Sequence, residues 1–244
     1  MINQLLDKTN SEQEKLEICQ VVKFLNLHDE NLIIKYKSES PDFIIENDNK
    51  IIGLEHVTIR NIEVVSKIGS VRDLIKKSEK YFIENYPDCT TPFKDKHPTC
   101  PNMIVNFEFN EDLFSFKKPE VTNLTIQIAK YIAGLIKGVD IEKPHYLSKV
   151  SIHPQTKVDF TVLTDINKRE ILETQTLKKI IEKKEALVKS YREKSGIQEQ
   201  WLLLVAGLLN RDSYEIKKDF NRVKSDFDKV FLLDDFEGKY QTLK

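Results

Sequence analysis

Glycine is scarce in this chain, at seven of 244 residues. No Gly-rich phosphate-binding loop is present, which removes the P-loop and dinucleotide-binding fingerprints. Cysteine is scarcer, at three residues. Cys19, Cys89 and Cys100 make no disulfide framework, and a reducing cytoplasm is the simplest setting for them. Cys89 and Cys100 share a loop with His97, but structural zinc takes four ligands, usually with a close Cys pair, and no fourth ligand is in view. No apolar run approaches ~18 residues, so neither a membrane-spanning helix nor a membrane partner is expected. The opening residues, MINQLLDKTNSEQEK, lack a basic segment followed by an apolar one, so no secretory signal is read. There is no GxSxG elbow, no HExxH helix, no internal repeat and no low-complexity tract.

An excess of one charge is also missing. Thirty-eight Lys and Arg against 39 Asp and Glu leave a net charge of −1. That does not advertise nucleic-acid binding, which often shows as a basic domain, but an acidic metal site lowers net charge while a local basic face still serves phosphates. What is present is ordinary for a soluble globular chain, with 40% hydrophobic and 32% charged residues. The length fits a single domain, residues 1–244, carrying an insertion.

Local patterns give most of the elements. Residues 11–27 read as an amphipathic helix with Ser11 as N-cap and Glu14 as its capping-box partner. NLIIKYK and PDFII read as strands, ENDNK as a hairpin turn and IIGLEHVTI as the next strand. Helices are expected over 70–86 and over 121–138, the latter closed by Gly138. Between them lie a loop at 87–101 and a strand at 102–109. LSKVSIHP and KVDFTVLT read as a strand pair around Pro154-Gln155-Thr156. The segment from about 61 to 165 is the least regular and reads as an insertion that shapes a substrate groove. Toward the end come a long helix over 170–194, a buried strand at WLLLVAGLL, a mostly helical 213–227 and a last strand at KVFLLDD. Strand, helix, strand at this spacing predicts a parallel βαβ unit.

Two short apolar runs each carry one acid. Strand side chains alternate faces, so Ile51, Gly53, Glu55 and Val57 share one face and Ile52, Leu54, His56 and Thr58 the other. Both faces are apolar, which places the strand centrally and Glu55 at least partly out of water. A buried carboxylate needs a cation, hydrogen bonds or a raised pKa. Asp42, across the hairpin, poses the same problem. A divalent cation between the two would relieve their repulsion, and Mg²⁺ takes one or two carboxylates while keeping waters and accepting phosphate oxygens. Against this, Asp42 could simply cap a turn after Pro41, and Glu55 could pair with a lysine from a covering helix.

Pro41-Asp42 on one strand and Gly53-Leu54-Glu55-His56-Val57 on the next resemble the PD-(D/E)XK nuclease superfamily, the restriction-endonuclease-like fold. The order of elements at both ends of the chain resembles it too. The resemblance implies an α/β fold with a mixed central sheet flanked by helices and an elaborated middle segment. It implies that Asp42 and Glu55 hold Mg²⁺ or Mn²⁺ for hydrolysis of a nucleic-acid phosphodiester. It also makes Glu14 and Glu17, on the first long helix, candidates for an assisting acid.

That pattern wants lysine two residues after the glutamate, to orient the attacking water and offset phosphate charge. Val57 stands there. The long helix offers a substitute, since Leu177, Ile180, Ile181, Val188 and Tyr191 define an apolar stripe and Lys184 falls inside it. A lysine stem can cross apolar packing and deliver its ammonium to the carboxylates. It can equally snorkel outward at the stripe's edge. His56 is a poorer substitute, because alternation points it away from Glu55. Tyr191 and Trp201 read as core. The remaining lysines of this helix, with Arg192 and Lys194, could follow a phosphate backbone or form a solvated face of i,i+4 pairs.

The expectation is a Mg²⁺-dependent endonuclease with Asp42, Glu55 and Lys184 as catalytic residues and DNA ahead of RNA as substrate. A cytoplasmic role in restriction or defence follows by analogy, and a homo-oligomer is compatible with it. The alternative is an inactive module of this fold that binds nucleic acid or a protein partner.

Overall fold

The structure, a computed structural model, describes residues 2–7, 9, 11–29, 31–110, 115–165 and 168–244. The fold is α/β, with a mixed central sheet flanked by helices. The chain divides into two compact units, Met1–Asn61 with Ile166–Lys244, and Ile62–Asp165.

In the first unit, a short helix α1 (Ile2–Asp7) precedes α2 (Glu12–His28). Ser11 caps α2 by accepting the Glu14 backbone N–H at 3.4 Å, which satisfies one of the helix's open donors. The strands β1 (Ile33–Lys37), β2 (Phe43–Asn47) and β3 (Lys50–Thr58) follow as an antiparallel meander. The β2–β3 turn works as ENDNK predicts, because the Asn47 side chain accepts the backbone N–H groups of Asn49 and Lys50, each at 3.1 Å. Strand β2 starts at Phe43, so Pro41 and Asp42 lie in the approach to it rather than within it.

After the second unit the chain returns through β7 (Glu170–Ile171) and the long helix α5 (Thr174–Ser195), which Gly196 closes in the left-handed region at φ 69°. It then enters β8 (Gln200–Ala206), β9 (Tyr214–Glu215), β10 (Lys229–Asp234) and β11 (Lys239–Thr242). The six-stranded sheet has the order β1-β2-β3-β8-β10-β11, with β8 parallel to both neighbours. Every residue of β8 is buried. Trp201, Leu203 and Val205 pack toward Ile18, Val21 and Phe24 of α2, while Leu202, Leu204 and Ala206 pack toward Leu177, Ile181 and Val188 of α5. Period-2 strands thus feed two helical stripes, one on each face of the sheet.

The β8–β10 crossover differs from the expected helix. Apart from β9, residues 213–227 form an irregular strap. Phe220 N–H donates to the Gln241 side chain at 2.9 Å and Val223 N–H to Leu243 O at 2.8 Å. Those bonds spend on the chain's last residues the donors that a helix would use internally. Ile216, Phe220 and Val223 still pack against the core on the α5 side, so their helix-like spacing reflects periodic burial without helical backbone.

The second unit contains α3 (Ile62–Asn85), β4 (Asn102–Phe109), α4 (Val121–Lys137), β5 (Leu147–Gln155) and β6 (Asp159–Val162). Helix α3 begins eight residues before the expected start. The unit is regular, contrary to its reading as the least regular segment, and it has its own core. Met103, Val105 and Phe107 of β4 pack there with Ile128, Ile132 and Leu74. Strands β5 and β6 do not pair with each other, because β4 lies between them, antiparallel to β5 and parallel to β6. Strand β4 carries the unbroken apolar face, which takes the central position. Strand β5 runs on through Pro154 and Gln155 opposite Met103 and Asn102, which moves the turn past the expected one. No helix among the described residues is long and apolar enough to cross a membrane.

Candidate active site

Asp42 and Glu55 come together where β2 begins. Phe43 stands opposite Leu54, so one step along the antiparallel register sets Asp42 opposite Glu55. The β2 ladder has ended there, and the Asp42 carboxylate takes over its work. Its Oδ2 accepts the His56 backbone N–H at 2.9 Å. The chain before it is held by Ser38 N–H donating to Asp42 O at 2.8 Å. Gly53 makes this approach sterically feasible. A Cβ there would sit 2.7 Å from Pro41 Cγ and 2.3 Å from Gln200 Oε1, so any side chain would push Pro41-Asp42 off β3.

Glu55 faces α5 as alternation predicts, at 3% relative exposure. Lys184 crosses the apolar stripe and donates to Glu55 Oε1 at 2.6 Å, with 27% of its own side chain exposed. The ammonium therefore reaches the carboxylate pair, and the snorkelling alternative does not describe it. Tyr191, seven residues on, faces the same group. Burial first, then the charge and hydrogen bonding of Glu55 and the charge of Asp42, push its phenol above its ordinary pKa. It stays a protonated donor.

Burial and the neighbouring Glu55 push Asp42 up to about 6, against the opposing pull of the His56 N–H and Lys184. Two carboxylates withdrawn from water thus share one lysine. Beside them opens a cleft of about 670 Å³. Ser38, Glu39, Ser40, Asp42 and Glu55 line it from the sheet side, and Lys184, Leu187, Ser190, Tyr191 and Lys194 from α5. An internal ion pair alone would not require such a cleft.

The other candidates lie apart from this point. His56 projects to the opposite face, where its Nε2–H donates to Gln20 Oε1 at 3.0 Å. Burial pushes its pKa down to about 4, so it is neutral and does not replace the missing lysine. Glu14 and Glu17 straddle Lys37, at 3.2 and 3.7 Å. Glu17 is close enough to contribute to the raised pKa of Asp42, but neither residue lines the cleft. Val57 packs against the core on the α5 side. Among the described residues, no group of three or more His, Cys, Asp or Glu side chains is placed to hold a metal ion, the loop of Cys89, His97 and Cys100 included. Any ion here would rest on two carboxylates.

The sequence reading missed Tyr191, taken there as core only. Its signal was the seven-residue step from Lys184, two helical turns along one face. Arg192 proves structural, donating to Gln198 O at 2.9 Å and to Asp226 O and Asp228 Oδ2 at 3.2 Å. Comparison with protein-family models, curated proteins and solved structures gave no match.

Proposed function

We propose that this protein is a metal-dependent nuclease of the PD-(D/E)XK type, with a restriction-endonuclease-like core in its first unit. The observation that carries the reading is the 2.6 Å contact of Lys184 with Glu55 beside Asp42, inside an open cleft. A lysine delivered from α5 occupies the role that Val57 leaves empty. The donor set suits Mg²⁺ or Mn²⁺. It consists of the hard oxygens of two carboxylates, as Mg²⁺ commonly uses, and the pair shares one lysine. Asp42 and Glu55 would hold the ion, which would supply Lewis acidity toward a phosphodiester and a bound water.

The chain's own residues do the rest. Asp42 is fixed through one oxygen by the His56 N–H and lines the cleft. The Lys184 ammonium orients Glu55, and the Tyr191 phenol lines the cleft beside it. Lys184, partly exposed, also offers its charge to a phosphate oxygen as negative charge develops there. A restriction or defence setting rests on fold-level analogy.

The test is incubation with labelled single- and double-stranded DNA and RNA, with Mg²⁺, Mn²⁺ or EDTA. Shortened products with either metal, none with EDTA and none from Glu55→Gln are expected. Intact substrates under every metal condition, from a folded protein, would overturn the reading in favour of an inactive module.

A further inference from the structure

The face of α5 that lines the cleft is Lys184, Leu187, Tyr191 and Lys194, at steps of three, four and three residues. That spacing keeps all four on one side of the helix. At 1.5 Å per residue, the backbones of Lys184 and Lys194 lie about 15 Å apart along the axis, and both side chains line the cleft. Lys184 is engaged with Glu55. Lys194 is exposed, and among the described residues no carboxylate stands within ion-pair distance of it, whereas Lys37 and Lys189 pair with glutamates. Between the two cations, Leu187 exposes 42% of its surface beside Ser190. Lys194 can therefore take an outside anion at no cost in broken pairs, and Leu187 offers an apolar contact next to it.

Resting on the nuclease reading, we infer that the cleft takes one extended polynucleotide strand along α5, with the scissile phosphate at Asp42, Glu55 and Lys184 and a flanking phosphate at Lys194. The substrate class follows from the charge count. A duplex presents two phosphate rows and calls for a broad basic face. This cleft has two lysines against Glu39, Asp42 and Glu55. Few phosphate contacts fit one strand, with affinity that depends only weakly on salt. With their backbones about 15 Å apart along α5 and Lys184 held on Glu55, the two lysines are assigned to different phosphates, so the minimal substrate spans several nucleotides.

The experiment is fluorescence anisotropy with labelled oligothymidylates of increasing length and a duplex of equal length. Ca²⁺ replaces Mg²⁺ as an oxygen-seeking ion of different geometry, and salt is varied. Wild type should bind the strands in preference to the duplex. Lys194→Met should weaken strand binding several-fold and reduce the salt slope by about 0.7, one single-strand phosphate contact. Lys183→Met, exposed and outside the cleft, should match wild type. If Lys194→Met also matches wild type, or if the duplex binds better, the strand assignment is overturned while the nuclease reading stands on its cleavage assay. If wild type binds no nucleic acid, both fall.

Discussion

Glu55 and His56 are neighbours on β3 and almost equally withdrawn from solvent, at 3% and 7% relative exposure, yet their surroundings differ. On the α2 face, His56 meets Gln20, whose amide donates to Asp235 Oδ2 at 3.0 Å, and Asp235 accepts Lys23 at 2.8 Å. That chain runs from His56 through Gln20 and Asp235 to Lys23, and none of the four lines the cleft beside Glu55. On the α5 face, Glu55 meets Lys184, Tyr191 and Asp42, and the cleft opens beside them. Buried polarity alone therefore does not mark a site. One face links its polar groups to one another, while the other leaves two carboxylates sharing one lysine at a cleft that a ligand can reach.

The largest effect that would sharpen this contrast concerns Lys184. Lys184→Met keeps an unbranched stem of similar length and removes the charge. Turnover should fall by about 10²–10³, the range for losing one charge-stabilising donor, while metal binding persists or strengthens. Lys183→Met should do far less. Equal losses in the two variants, measured in single-turnover cleavage, would reduce the α5 face to a general phosphate contact.

A smaller effect separates the two faces by pH in metal-free buffer. Asp42 has a folded pKa raised from 3.8 to about 6. Its contribution to stability is fully present below pH 3.8 and is lost as pH rises through 6. His56 has a folded pKa lowered from 6.5 to about 4. Its contribution is present above pH 6.5 and is lost as pH falls through 4. The two slopes oppose each other, each worth on the order of 1–3 kcal/mol at most. Relative to wild type, Asp42→Asn should gain stability as pH rises from 4 to 7, and His56→Gln should gain as pH falls over the same range. Thermal melts that shift in parallel for both variants would show that the two faces are not electrostatically distinct.

The grouping of Asp42, Glu55 and Lys184 was legible in the sequence because it depends on local periodicity. Strand alternation separates Glu55 from His56, and helical spacing aims Lys184 inward. Both signals need only a few neighbouring residues. Tyr191 was half legible, since apolar periodicity explains its burial but is silent about its hydroxyl. What escaped depends on long-range pairing. Ile216, Phe220, Val223 and Phe227 have helical spacing, but bonds to Gln241 and Leu243 hold them as a strap. In the second unit, adjacent strands β5 and β6 read as a hairpin, yet β4 takes the place between them. The alternating apolar face of β4 suits a central strand, but it does not name the partners on either side.

The account rests on Asp42 and Glu55 forming one divalent-metal site, and calorimetric titration of the metal-free protein with Mn²⁺ tests that most directly. Wild type should bind one ion, more tightly at pH 7.5 than at pH 5.5, because Asp42 must give up its proton near pH 6. Asp42→Asn and Glu55→Gln should each abolish the binding heat, while His56→Gln retains it. Binding of Mn²⁺ undiminished in both carboxylate variants would contradict the metal site and, with it, the proposed chemistry.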